Sequence, residues 1–179
     1  MTAPRIAPGG RREAGLFARG FAHAAGLVSR TNAPHLFLTM GRQHKLFRGW
    51  VRFAGRLMPG GTLPRRETEL IILRVAHLRG CTYEFEHHVR LGRRAGVTAA
   101  NVSRVQAGPD ADGWSARERA VLHAVDALHR DQDLDDALWS ELREHLDEPR
   151  VIEFLLLVGH YEMLATFLLT LRVEPDRPR

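Results

Sequence analysis

Apolar side chains recur along most of this chain at intervals of three and four residues, the spacing that gathers them on one face of an α-helix. Segments with this pattern cover residues 12–28, 32–58, 66–78, 81–96, 98–107, 115–131, 135–146 and 149–171. No segment alternates apolar and polar residues as a half-buried strand does, and no hairpin dipeptide joins two such segments. The pattern therefore predicts an all-α multi-helix bundle of about seven to eight helices.

The first two segments carry the large aromatic residues. The inward face of segment 12–28 is predicted to include Leu16, Phe17 and Phe21. Segment 32–58 begins with Asn32 as the helix cap and Pro34 in the first turn, and we expect one helix with a bend at Gly41. Its core positions are predicted to be Phe37, Met40, Leu46, Phe47, Trp50, Val51 and Leu57.

Length and composition indicate one domain. Residues 1–10 are rich in proline, glycine and small side chains and are expected to form a flexible arm, and residues 11–179 a single helical domain. The net charge of +5 comes from arginines scattered along the chain, without the basic and aromatic clustering typical of nucleic-acid binding. A single cysteine and no recognisable secretion signal favour a cytoplasmic protein.

The segment 149–171 is apolar enough to raise the question of a membrane span. It contains Glu153, His160 and Glu162, which are costly in lipid, and Arg150 and Arg172 flank both of its ends without orienting it. We therefore expect a buried helix and no membrane partner.

Ionisable side chains interrupt the apolar helix faces between residues 65 and 98. Three- and four-residue steps place Glu84 and His88 on the same face as Cys81. Glu69 projects into the apolar side of the preceding helix, where a carboxylate needs a partner or a raised pKa. The polar faces of the two helices are predicted to hold Arg66, Glu67, Arg74 and His77 in the first and Tyr83, Glu86, Arg90, Arg93 and Arg94 in the second.

The same residues also have structural interpretations. Glu84 and His88 form an i,i+4 pair of the kind that stabilises helices, and Glu69 has Arg65 and Arg66 as available partners. Cys81 is of a type that often serves as an inert small apolar side chain. Glu84 and His87 make one E-x-x-H motif, but di-iron bundles need two copies, so no metal site is predicted.

The stretch RRETELIILRVAHLRGCTYEFEHHVRLGRRAGVT resembles the core motif of the carboxymuconolactone decarboxylase and alkylhydroperoxidase D family. NAPHLF, GGTLPRRE and VGHYEML resemble other parts of it. The resemblance implies an all-helical fold, assembly into homotrimers or homohexamers, and a pocket where the core helices meet. It also implies a small-molecule substrate and no cofactor.

Peroxidase members of that family use two thiols in C-x-x-C, an upstream glutamate and a downstream histidine. The resemblance places the glutamate at Glu69, the first thiol at Cys81 and the histidine at His88. The position of the second thiol holds Glu84. A disulfide within one site requires two sulfurs, so the dithiol cycle is excluded for a chain with one cysteine.

The remaining chemistry is acid–base catalysis by a decarboxylase-like enzyme on a small carboxylated lactone, through decarboxylation or isomerisation. His88 is predicted to be the acid–base group, Glu84 the group that orients it, and Glu69 a second proton-transfer or substrate-facing group. The predicted catalytic residues are therefore Glu69, Cys81, Glu84 and His88, with Tyr83 and His160 as substrate-contacting residues. A single-thiol peroxidase acting through Cys81 and a non-catalytic oligomeric binding protein are the alternatives.

Overall fold

A computed structural model describes residues 3–177 of the chain. Two compact units are present. One comprises the described residues up to Arg56 together with those from Thr166 onward, and the other is Leu57–Ala165. The candidate site residues all belong to the larger unit.

The prediction of an all-α fold is confirmed. The described residues form nine helices and no β-strand: α1 (Arg11–Ser29), α2 (His35–Met40), α3 (His44–Leu57), α4 (Arg65–Leu78), α5 (Thr82–Arg94), α6 (Ala99–Ala107), α7 (Ala116–Asp131), α8 (Asp136–His145) and α9 (Glu148–Leu171). Ser115 and Glu118 form a capping box that opens α7, as their S-x-x-E spacing favours. The side chain of Asp135 caps α8.

The single helix predicted over residues 32–58 is wrong, because it divides into α2 and α3. Pro34, not Asn32, is the N-cap of α2. A Cβ atom on Gly41 would lie 2.5 Å from the Ala18 Cβ, so only glycine fits where the two backbones approach. The close approach at Gly41 interrupts the helix instead of bending it.

The smaller unit packs its aromatic rings differently from the prediction. Ala14, Ala18 and Phe47 form its buried cluster, with Phe21, Phe37, Met40, Trp50 and Val51 packed against it. Leu16 and Leu46, both expected inside, are 72% and 69% exposed. Gly15 has a non-helical φ of 72° within α1, which shifts the inward face onto small residues. Residues 3–10 contain no helix, and residues 1 and 2 of the predicted arm lie outside the described part.

Helix α4 lies at the centre of the larger unit. Its residues from Glu67 to Ala76 are all buried, and it packs against α5, α6 and α7. The core around it contains Leu70, Leu73, Val97, Val105, Trp114 and Leu122. Helix α4 is therefore covered on several sides, in keeping with the apolar residues that it carries around most of its circumference.

Two residues assigned to the polar face of α4 are in fact buried. The two carboxylate oxygens of Glu67 accept hydrogen bonds from Arg117, one from Nε at 2.6 Å and one from Nη2 at 2.9 Å. Arg74 donates twice to Asp126 at 2.6 Å each and once to the carbonyl oxygen of Val105 at 2.7 Å. Paired charges of this kind can be buried where isolated charges cannot, so the polar face lies against neighbouring helices.

Helix α9 is, among residues 3–177, the one helix long and apolar enough to cross a bilayer by length and composition. Within the protein, 44% of its most apolar window is buried. Core helices meet the same criteria, so the feature is weak evidence for a span. Near its start, Glu153 accepts hydrogen bonds from the Thr62 N–H and hydroxyl and from the Leu63 N–H, and thereby holds the loop that leads into α4.

Candidate active site

The turn between α4 and α5 places the two helices against each other. Gly80 has a φ of 62°, in the left-handed region that glycine favours. Its N–H donates to the His77 carbonyl at 3.0 Å, and the Cys81 N–H donates to the Ala76 carbonyl at 2.8 Å. These two bonds form a Schellman motif, after which Cys81 is the N-cap of α5.

The far end of α5 repeats this arrangement. Gly96, with a φ of 84°, follows the C-cap Ala95, and the Val97 N–H donates to the Gly92 carbonyl at 2.8 Å. Gly96 is also the last residue of the helical segment predicted from the sequence. A Cβ on Gly92 would lie 3.6 Å from the Glu69 Cβ, so α5 approaches α4 closely at Glu69.

A buried ion-paired triad joins the two helices. One carboxylate oxygen of Glu69 lies 2.8 Å from the His88 Nδ1, and the other lies 2.5 Å from the Arg65 Nη2. Because a carboxylate only accepts hydrogen bonds, Nδ1 carries the hydrogen. His88 Nε2 makes no hydrogen bond to the described residues and is the nitrogen left for a ligand. Glu69 thus sets the tautomer and the orientation of the His88 ring.

The prediction that Glu84 orients His88 is therefore wrong. Both carboxyl oxygens of Glu84 are buried without a hydrogen-bond partner among the described residues. The i,i+4 spacing puts Glu84 and His88 on one face of α5. The hydrogen bond from His88 Nδ1, however, goes to Glu69 on the neighbouring helix α4. The structural pairing of Glu69 with Arg65, foreseen as an alternative, is present together with the contact to His88.

Burial raises the pKa of Glu84 to about 8, and the negative charge of Glu162 adds to the effect, although the Cys81 thiol and Arg79 oppose it. At neutral pH Glu84 therefore carries its proton, while Glu69 lies against the guanidinium of Arg65. A carboxyl group that keeps its proton near neutral pH is able to donate a hydrogen bond, a property used in acid–base catalysis.

Cys81 is 1% exposed, and burial raises the pKa of its thiol to about 12, with Glu84 contributing in the same direction. Since the thiolate is the nucleophilic form, burial disfavours the reactive state of this thiol at neutral pH. A helix N-terminus does not activate it here because desolvation is the larger effect.

Aromatic rings from α9 lie beside the triad. The Tyr161 ring meets His88 edge to face with centroids 5.1 Å apart, and meets His160 at 5.3 Å. Burial lowers the pKa of His160 to about 4, and His88 contributes to this shift, so His160 is neutral at physiological pH. His160 thus lies near the triad, whereas its contact with a substrate remains a prediction.

Tyr83 was expected on the polar face of α5 and is instead buried, with its ring stacked on His87 at 6.5 Å. Its predicted role as a substrate contact is untested. The described residues contain no group of three or more His, Cys, Asp or Glu side chains arranged to hold a metal ion.

Two residues of the site were not assigned to it by the sequence. Arg65 was noted only as a possible partner of Glu69. Tyr161 was overlooked, although it follows His160 directly and continues the apolar face that begins at Phe154 and Leu157. The position of Tyr161 within the apolar face of α9 could have indicated its role, because a buried tyrosine hydroxyl usually has a specific hydrogen-bond partner.

The chain is similar in sequence to known proteins. A sequence model of the carboxymuconolactone decarboxylase family matches residues 44–127. The uncharacterized protein YdfG of Bacillus subtilis (strain 168) is 27% identical over 100 residues, which cover 55% of this chain and 68% of YdfG.

Two solved structures are similar in fold. An uncharacterized peroxidase-related protein from Silicibacter sp. TM1040 superposes with a TM-score of 0.83 at 15% identity, covering 98% of this chain and 95% of its own. A protein of unknown function from Agrobacterium tumefaciens, described as a candidate antioxidant defence protein AhpD, gives 0.68 at 20% identity, covering 73% and 90%. At these identities the likeness is one of fold alone.

Proposed function

We propose that this chain is an acid–base enzyme that needs no cofactor, because a model of the carboxymuconolactone decarboxylase family matches its residues 44–127 and its fold is AhpD-like. Its substrate is a small carboxylated lactone, which it decarboxylates or isomerises. The observation that carries the proposal is the 2.8 Å contact between Glu69 and His88 Nδ1, which directs Nε2 toward a ligand. An imidazole oriented by a buried carboxylate is suited to moving protons near neutral pH.

In decarboxylation, the bond between the lactone carbon and its carboxylate breaks, and the electron pair passes into the conjugated lactone to form a dienolate. Carbon dioxide leaves, and His88 returns a proton to carbon, so one proton is consumed for each CO₂ released. In isomerisation the same nitrogen removes a proton from one carbon and returns it to another. Glu69 stabilises the imidazolium in both reactions.

Glu84 supplies a hydrogen-bond donor at neutral pH. Because its carboxyl group is protonated there, it is able to donate a hydrogen bond to an oxygen that gains negative charge. Its role is thus that of an acid beside the dienolate, and Glu69 takes the orienting role.

The buried, protonated thiol favours this proposal over the single-thiol peroxidase. Peroxide reduction requires a thiolate that is accessible to the peroxide, and Cys81 offers neither property. A non-catalytic binding protein is the third possibility, and the loss or persistence of turnover in a His88 variant separates it from an enzyme.

Replacing Cys81 with Ser tests the choice between acid–base and thiol chemistry. We expect CO₂ release from a panel of carboxylated lactones to change less than about threefold, because the thiol takes no part in proton transfer. Hydroperoxide consumption, followed with an external thiol as reductant, should be absent from both forms. Peroxide consumption by the wild type that disappears in Cys81→Ser would overturn the proposal.

We also propose a homotrimer or homohexamer, located in the cytoplasm and without a nucleic-acid or membrane partner. Helix α9 supports self-association through exposed apolar residues on one face: Ile152, Leu155, Leu156 and Met163. Their spacing forms a continuous stripe, and such patches on a protein surface commonly mark interfaces.

Sedimentation velocity measures this assembly. The wild type should sediment as three or six copies of the 20.2 kDa chain. The double variant Ile152→Glu/Leu156→Glu should dissociate, because charge in the stripe opposes its burial, whereas Trp139→Glu on α8 should not. A monomeric wild type would rule the assembly out.

A further inference from the structure

Arg65 is the solvent-facing member of the site. Its side chain is 39% exposed, whereas those of Glu69 and His88 are 0% and 6% exposed. A ligand that approaches the triad from water therefore meets this guanidinium. Arg65 is the first residue of α4, which fixes its position relative to Glu69 one turn later.

The guanidinium of Arg65 retains an unused donor. Nη2 faces Glu69, but Nη1 is buried and has no hydrogen-bond partner among the described residues. A buried N–H group without an acceptor is energetically costly, so a ligand oxygen at Nη1 would be stabilised.

The Tyr161 hydroxyl also lacks a strong hydrogen-bond acceptor among the described residues. Among residues 3–177 it donates only to the Met58 Sδ at 3.9 Å, and a thioether is a weak acceptor. The Tyr161 ring meets the His88 ring edge to face with centroids 5.1 Å apart, so the phenol lies beside the triad.

We propose that Arg65 and Tyr161, which lie on either side of the Glu69–His88 contact, form an anion-binding pair that holds a carboxylate or enolate oxygen of the substrate. The identity of the ligand rests on the proposed function, whereas the binding of an anion does not.

The chemistry restricts which oxygen the pair holds. A carboxylate that leaves as CO₂ gives up its charge, so an ion pair to that group would stabilise the ground state and slow the reaction. The pair instead suits an oxygen that keeps or gains negative charge: the enolate oxygen of the lactone or a second carboxylate that remains in the product.

Ligand-observed NMR with furan-2-carboxylate and its neutral isostere furan-2-carboxamide tests the pair. Both probes have a five-membered ring of lactone size, and only one carries a charge. We expect the carboxylate to bind the wild type at least about tenfold more tightly than the carboxamide. Arg65→Gln should weaken carboxylate binding by about tenfold or more and leave the carboxamide unchanged, as expected for the loss of a charged hydrogen bond.

Arg66→Gln is the matched control. Arg66 is the next residue of α4, its side chain is 36% exposed, and it pairs with Glu118 outside the site. This variant should keep carboxylate affinity within about twofold of the wild type. Equal weakening in Arg65→Gln and Arg66→Gln, or equal affinity of the wild type for both probes, would overturn the proposal.

Two further variants keep the test decisive if Arg65→Gln fails to fold, since it leaves Glu69 with one fewer cation. Arg65→Lys retains the positive charge but removes the planar guanidinium, and Tyr161→Phe removes one hydroxyl. Each variant should weaken carboxylate binding severalfold. Unchanged affinity in both variants would reject the anion-binding pair. Carboxylate binding without lactone turnover would refute the proposed reaction and retain the pair. Turnover without a preference for the carboxylate would do the reverse.

Discussion

Replacing His88 with Gln should lower the turnover of a carboxylated lactone by about 10²- to 10⁴-fold, the usual contribution of a general acid–base group. Glutamine retains a side-chain amide that donates to Glu69 but has no nitrogen that exchanges a proton near neutral pH. The ion pair of Glu69 with Arg65 remains in place, so the fold should be preserved. The measurement is CO₂ release or the change in lactone absorbance, at substrate concentrations that separate kcat from KM.

His123→Gln is the control for the loss of an imidazole. His123 lies on α7, where it pairs with Asp110 at 3.2 Å and contacts none of the candidate site residues. Its variant should retain turnover within about twofold of the wild type. Equal rates in His88→Gln and the wild type would remove His88 from the mechanism. Ligand binding without turnover in either form would favour the non-catalytic interpretation.

Glu84→Gln should make the protein more stable than the wild type at pH 9, by on the order of a few kcal/mol. The unfolded carboxyl group has a pKa near 4.5, and burial raises that of the folded state to about 8. Between these values the folded protein binds more protons than the unfolded chain, so stability decreases as pH increases. The contribution of Glu84 is fully present below about pH 4.5 and is lost as pH rises through about 8.

Urea unfolding at pH 5, 7 and 9 measures this effect. Glutamine resembles the protonated carboxyl group and does not titrate, so the two proteins should be similarly stable at pH 5 and diverge at higher pH. Glu86→Gln is the control because Glu86 is exposed on the same helix. Parallel stability curves for Glu84→Gln and the wild type would show that the carboxyl group of Glu84 is not held in its neutral form.

The local elements could be predicted from the sequence because their causes lie within a few residues. Hydrophobic periodicity located the helices, and Gly96 ended α5 where predicted. The spacing of Cys81, Glu84 and His88 placed them on one face. A single cysteine excluded a disulfide cycle regardless of the fold.

Side-chain partners from different helices could not be predicted in this way. Periodicity assigned Glu67 and Arg74 to a solvent-facing arc, yet Arg117 and Asp126 on α7 bury both of them as ion pairs. Leu16 and Leu46 were placed inside because they are apolar, but the conformation at Gly15 and the close approach at Gly41 direct other residues inward.

The sequence by itself thus determined an all-α chain, the site-bearing helices and the residue types available for chemistry. The tertiary structure alone decided that Glu69 orients His88, that Glu84 is left protonated beside the Cys81 thiol, and that Tyr161 lies beside His88. Helix faces follow from contacts three or four residues apart. The partner and the protonation of a buried group depend on residues brought close from distant parts of the chain, and helical periodicity contains no information about them.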